Sequence, residues 1–120
     1  MMSKVAFLTG INGMDGSHLA EFLIEKGYEV HGLIRRTSNP LHDNIKHLIN
    51  DIILHPGDMS DGGSIRTAIK KCMPDEIYNL AGMSQVRWSY DVPVMTIDIN
   101  CMGLVRIIEA VRSLSLDCKI

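Results

Sequence analysis

Three glycines, Gly10, Gly13 and Gly16, follow one another at intervals of three residues. They separate an apolar run, residues 4–9, from a stretch of helical period. A turn from a buried parallel strand into a helix N-terminus leaves several backbone N–H groups unpaired. Together with the helix dipole those groups form an anion site. Glycine at such a turn lets the chain bend sharply and lets a diphosphate approach the main chain, and the last glycine lets helix and strand pack closely. A loop of incidental period would look the same in composition, but it would have no reason to fall at the first strand–helix junction. The stretch Gly10, Ile11, Asn12, Gly13, Met14, Asp15 and Gly16 is therefore the expected cradle for a dinucleotide.

Further polar residues fall where strands should end. Arg35 and Arg36 follow the second apolar run. An acidic residue about 20 positions past the glycines would accept the ribose 2′-OH of NAD. A guanidinium fork there suits a 2′-phosphate instead. Glu29 comes too early to take the acidic role, so NADP is expected over NAD. Asp58 and Met59 follow the third run, after Gly57. Asn79, Leu80, Ala81 and Gly82 end the fourth, where small residues would let a nicotinamide ribose and its phosphates pass close to the backbone, with Ser84 toward the nicotinamide or substrate side.

These positions need a regular scaffold. Apolar runs predict strands over 4–9, 29–34, 51–55 and 76–80. Helical spacing predicts helices over 15–26, closed by Gly27, and over 62–72, opened by Ser60 and Asp61 and broken by Pro74. A short helix is expected over 41–50 within a polar stretch, an irregular segment over 82–93, a long helix over 95–113, and the start of a further strand over 117–120. The strands are continuous apolar runs, as in a sheet covered on both faces. Strands alternating with helices predict a doubly wound parallel α/β sheet in three α/β/α layers, the Rossmann-like NAD(P)-binding arrangement. Helix 95–113 is apolar around most of its circumference, with Arg106, Glu109 and Arg112 as a narrow charged stripe, so burial on two sides is expected.

The 120 residues suffice for one modest domain, and 46% hydrophobic with 22% charged residues is ordinary for a globular chain. A formal net charge of −2 offers no case for nucleic acid or an anionic membrane. No apolar stretch approaches the ~20 residues of a membrane span. The N-terminal run ends in glycines, which predicts no signal peptide. Cys72, Cys101 and Cys118 are far apart and are expected to be reduced and mostly buried in a cytoplasmic protein. The five histidines are scattered as well, so no metal site is expected. The eight methionines read as core filler.

T-G-x-x-G-x-x-G is the spacing of the short-chain dehydrogenase/reductase superfamily. The stretch KVAFLTGINGMDGSHLAEFLIEKGYEVHGLIRRTS (4–38) closely resembles the opening of GDP-mannose 4,6-dehydratases, in the extended branch of that superfamily. The likeness continues through LHPGDMSD (54–61), PDEIYNLAGMSQVRWSYDVP (74–93) and DINCMGLVRIIEAVR (98–112). It implies an NADP-bound lyase that dehydrates a nucleotide-activated hexose to a 4-keto-6-deoxy sugar. It also implies that Asp58 takes the adenine amino group, that Met59 lines the base pocket and that Asn100 matches a superfamily asparagine supporting the catalytic centre. Homo-oligomers built through helix 95–113 and loop 35–44 are a further implication.

The chain departs from that pattern in places. Met14 and Met83 stand where relatives usually have Gln. The superfamily's catalytic Tyr-x-x-x-Lys does not occur, because Tyr28, Tyr78 and Tyr90 are followed four residues on by Gly32, Gly82 and Val94. The sugar-nucleotide subdomain is missing too. Residues 1–120 thus read as a dinucleotide-binding domain without catalytic residues, expected to be inactive alone. Three readings stay open: the cofactor part of a dehydratase, that of a nucleotide-sugar epimerase or reductase, and a stand-alone nucleotide-binding module.

Overall fold

Four strands form one parallel sheet in the order β3-β2-β1-β4. They are β1 (Val5–Thr9), β2 (Glu29–Ile34), β3 (Ile52–Pro56) and β4 (Glu76–Asn79) in a computed structural model that describes residues 3–36, 43–82 and 86–120. Register fixes the strand ends at one edge: Thr9 sits beside both Leu33 and Asn79. Alternate side chains face opposite ways, and both faces are apolar. Ala6, Leu8, Val30, Ile34 and Ile52 pack with Ala20 and Leu23 of α1 (Met14–Glu25). Phe7, Leu33 and Ile77 pack with Ile65 and Ile69 of α2 (Gly62–Cys72) and with Ile107 and Ala110 of the final helix. The result is the expected three-layer Rossmann arrangement.

Local signals set most boundaries. Gly27, at φ +87°, closes α1, its N–H donating to Ile24 and that of Tyr28 to Leu23. Asp61 caps α2 by accepting from the N–H groups of Gly63 and Ser64.

Several expectations are corrected. In place of a helix over 41–50, the described part holds one 3₁₀ turn, Lys46–Leu48. Ile45 and Leu48, three apart, are the side chains it buries, and one tight turn aligns them. The segment 82–93 is not irregular throughout: α3 spans Val86–Asp91. The long helix starts earlier, with Pro93 in its first turn, and is not uniform. It comprises α4 (Pro93–Ile97), a π-helical turn (Asp98–Met102) and α5 (Gly103–Ser113). The strand expected over 117–120 is a single bridge between Lys119 and Glu76. Among the described residues the long helix is also covered on one side only. Gly103, Ile107 and Ala110 are buried, while Val94, Ile97, Val105 and Ile108 are exposed. Of the cysteines only Cys72 is buried; Cys101 is exposed and Cys118 intermediate.

The sheet also buries a histidine pair. His31 Nδ1 and His55 Nε2 lie 2.8 Å apart on neighbouring strands. His31 Nε2 is buried without a hydrogen bond, with Glu29 Oε2 3.6 Å away. Burial first, then His31 and Lys71, hold the His55 pKa below the usual histidine range. The unfolded chain therefore takes up this proton at higher pH than the native one, and stability is full above the unfolded value and lost as pH falls through the folded one. The melting temperature should fall as the pH drops below about 6.5, the ordinary histidine value. His55→Gln should remove much of that drop, and an equal drop in the variant would assign the acid sensitivity elsewhere.

Candidate functional site

The glycine turn occupies the carboxyl end of β1, at the centre of the sheet. Gly10 has φ +68°, and a Cβ there would lie 2.8 Å from Ala81 N and Leu80 C. No other residue fits that conformation and that gap together. The turn closes with Gly13 N–H donating to Gly10 O at 3.0 Å. Gly13 is the N-cap of α1 and supplies no side-chain acceptor, so the first-turn N–H groups stay available. A Cβ on Gly16 would meet Gly10 O at 2.0 Å, which makes this glycine the contact that seats helix on turn. A Cβ on Gly13 would meet only Gly10 O, at 3.3 Å, and otherwise open space.

Across the opening stands the end of β4. The wholly buried Thr9 holds it there. Its Oγ1 accepts from Leu80 N and Ala81 N, each at 3.1 Å, and donates to Asn79 Oδ1 at 2.6 Å. Sequence reading missed Thr9, although a hydroxyl ending a buried apolar strand immediately before the turn is a visible signal. Gly82 in turn abuts Asn100 of the π turn, where an added Cβ would lie 3.1 Å from Asn100 Oδ1.

The third wall follows β3. Asp58 does not cap α2, a role Asp61 fills. Its Oδ1 instead accepts from Ser60 N at 2.9 Å and Ser60 Oγ at 2.7 Å. These bonds hold its carboxyl below the usual range, against burial and with help from Arg35 and Arg106. Met59 is 5% exposed and stands against Gly103, where an added Cβ would lie 2.8 Å from Met59 Cε.

These walls enclose a cleft of about 260 Å³ lined by Thr9, Gly10, Asn12, Gly13, Leu33, Arg35, Gly57, Asp58, Met59, Leu80, Ala81, Gly82 and Ile99. Nine of the expected site residues are among them. The others are not. Ile11 is fully buried beneath Gly32, Met14 and Asp15 are exposed and do not line the cleft, Gly16 packs against the turn, and Arg36 is exposed. Ser84 lies outside the described residues. Ile99 was missed because it reaches the cleft from the π turn. A wider hollow of about 600 Å³ adjoins at Arg35, Asp58 and Ile99 and continues along Val92 to Met95. Among the described residues no group of three or more His, Cys, Asp or Glu could hold a metal ion. No described helix is long and apolar enough to cross a membrane.

A cleft at the carboxyl ends of parallel strands is where ligands bind in doubly wound sheets. A family profile described as GDP-mannose 4,6 dehydratase matches residues 7–120. GDP-mannose 4,6 dehydratase 1 of Arabidopsis thaliana is 48% identical over 122 residues, covering 95% of this chain and 34% of that protein. The GDP-mannose 4,6-dehydratase of Vibrio cholerae serotype O1 is 44% identical over 126 residues, covering 99% and 34%. The chain thus spans about a third of the length of these relatives. Among solved structures, the Bordetella bronchiseptica enzyme WbmH in complex with NAD+ superposes with a TM-score of 0.77 at 25% identity, covering 96% of this chain and 37% of that one. A UDP-glucose 4-epimerase superposes with a TM-score of 0.81 at 20% identity, covering 97% and 34%, and shows the fold alone. With its profile match running from the first strand to the last residue, the chain belongs to the GDP-mannose 4,6-dehydratase family.

Proposed function

We propose that residues 1–120 form the dinucleotide-binding domain of an enzyme that converts GDP-mannose to GDP-4-keto-6-deoxymannose, with NADP as its resident cofactor. One observation carries this reading: a single cleft has an uncapped helix N-terminus behind a glycine turn on one side and Arg35 on the other. The residues present fit a dinucleotide. Side-chain atoms at Gly10 would fill the gap to Ala81, and among the described residues no carboxylate except Asp58 lines the opening. The α1 amides receive the diphosphate. Arg35, with Arg36 beside it, faces the 2′-phosphate. Asp58 and Met59 take the adenine, and Leu80, Ala81 and Gly82 border the nicotinamide ribose, with Ser84 toward the sugar. When bound, the nicotinamide supplies the acceptor and donor of hydride for the sugar's oxidation and its return.

In the same reading the protein works in the cytoplasm as a homo-oligomer. The exposed apolar side of α4 and α5 supports this. Loop 35–44, the other expected contact, lies partly outside the described residues. An epimerase would share this cofactor half, but the profile and the curated relatives favour dehydration. WbmH holds NAD+, so the choice of cofactor is the sharper question. In calorimetric titration NADPH should bind at least about tenfold more tightly than NADH. Equal affinities would remove the role of Arg35 and leave NAD as the better reading. The 120-residue chain itself should leave GDP-mannose unchanged, since it has no Tyr-x-x-x-Lys.

A further inference from the structure

One charged side chain bridges two walls of the cleft without lining it. Arg106, on α5, has 22% of its side chain exposed. Its side chain runs back toward the helix N-terminus, as helical side chains do. Nη1 donates to Met59 O at 2.9 Å and to Asp98 O at 3.1 Å, and Nη2 donates to Asp98 Oδ1 at 2.6 Å. Asp98 opens the π turn that brings Ile99 to the cleft and Asn100 against Gly82. Extra-residue helical turns of this kind occur often at functional sites.

The Met59 bond has a consequence one peptide further on. Met59 O and Ser60 N–H belong to the same planar unit. The carbonyl end is held by the guanidinium, and the N–H end donates to Asp58 Oδ1. Ser60 Oγ donates to that same oxygen. Oδ2 receives no hydrogen bond from a described residue, while Asp58 lines both hollows of the site. The geometry points to Arg106 as a positioning residue that orients the Asp58 carboxylate through the Met59–Ser60 peptide, leaving Oδ2 to take a donor on the adenine of the nucleotide. A charged donor suits this task, because charge-assisted bonds are short and polarise the amide at the far end of the peptide. The last step, the adenine contact, rests on the dinucleotide reading above. The coupling of Arg106 to Asp58 does not.

Two measurements separate them. The first is amide hydrogen exchange at Ser60 in Arg106→Met and Arg106→Lys, with folding checked by circular dichroism. Exchange at Ser60 should quicken in both variants, because lysine keeps the charge but loses the fork that joins Met59 to Asp98. Wild-type exchange in a folded variant would overturn the proposal. If the methionine variant does not fold, the lysine variant carries the test.

The second is titration with the two halves of the cofactor, adenosine 2′,5′-bisphosphate and reduced nicotinamide mononucleotide. Arg106→Met should weaken the adenosine half by about tenfold and leave the nicotinamide half unchanged. Equal loss on both halves would mark a merely structural role, and no loss on the adenosine half would also overturn the assignment. If the wild-type chain binds neither half yet Ser60 exchange quickens in the variants, the dinucleotide reading fails while the Arg106–Asp58 coupling stands.

Discussion

Gly16→Ala is expected to destabilise the domain by about 3 kcal/mol or more and to abolish nucleotide binding, whereas Gly13→Ala should leave stability nearly untouched and lose only the nucleotide. The two glycines sit three residues apart in one motif, but they meet different surroundings. The Cβ added at Gly16 would lie 2.0 Å from Gly10 O, 2.8 Å from Gly10 C and 2.9 Å from Ile11 Cα. All three are backbone atoms, so no rotamer change relieves the overlap, and the helix must lift off the turn. Lifting it separates Ala20 and Leu23 from β1 and moves the amide cradle at the same time. At Gly13 the backbone is in the ordinary extended region, φ −79°, ψ 175°. The one neighbour, Gly10 O at 3.3 Å, need give only a few tenths of an ångström. The new methyl group would then stand in the cleft, between the amides and any diphosphate. Thermal denaturation of both variants, paired with NADPH titration, checks this. Equal melting temperatures would mean that Gly16 does not seat the helix, and full NADPH affinity in Gly13→Ala would move the diphosphate away from this turn.

What could be read from sequence follows from the range of the forces involved. Strand ends, the Gly27 stop and the Asp61 cap were legible because each depends on residues within a few positions of itself. The glycine turn was legible for the same reason, since Gly10, Gly13 and Gly16 lie on one local stretch. Asp58 lines the cleft, its partner in the turn is Ser60, and the neighbouring carboxylate of Asp61 takes the helix. Two acidic residues three apart in a polar stretch cannot be assigned to those roles by type alone.

The features that escaped depend on distant partners. The π turn at Asp98–Met102 inserts a residue to meet Gly82 and Met59, some 20 to 40 positions earlier in the chain, and periodicity averages over it. The width of the apolar surface on helix 95–113 was read correctly, yet an apolar face states only that it can be buried. In the described chain α2 and the sheet cover Ile107 and Ala110, while Val105 and Ile108 stay 41% and 45% exposed. The 3₁₀ turn at Lys46–Leu48 replaced a helix because two anchors, Ile45 and Leu48, suffice to fasten that connection to the core.

Thr9→Val is expected to lower stability by about 2 kcal/mol despite the near-identical shape of the two side chains. Volume and β-branching are kept, so the packing of β1 between β2 and β4 is not the source of the loss. The hydroxyl is what joins the strand ends. It receives the N–H groups of Leu80 and Ala81 and gives its proton to Asn79 Oδ1. Leu80 N has a second acceptor in Thr9 O at 3.3 Å, so the valine variant orphans chiefly Ala81 N and Asn79 Oδ1. A partly buried donor stranded in this way forfeits its bond to water as well as its bond to the protein. The wall at Ala81–Gly82 would then shift against Asn100 and the turn at Gly10, so nucleotide affinity should fall together with the melting temperature. Thr9→Ser supplies the control, because it restores the hydroxyl and removes only a methyl group. Affinity recovered in the serine variant assigns the effect to the hydrogen bonds. If serine and valine lose equally, packing governs the junction, and the strand ends are held by the sheet rather than by Thr9.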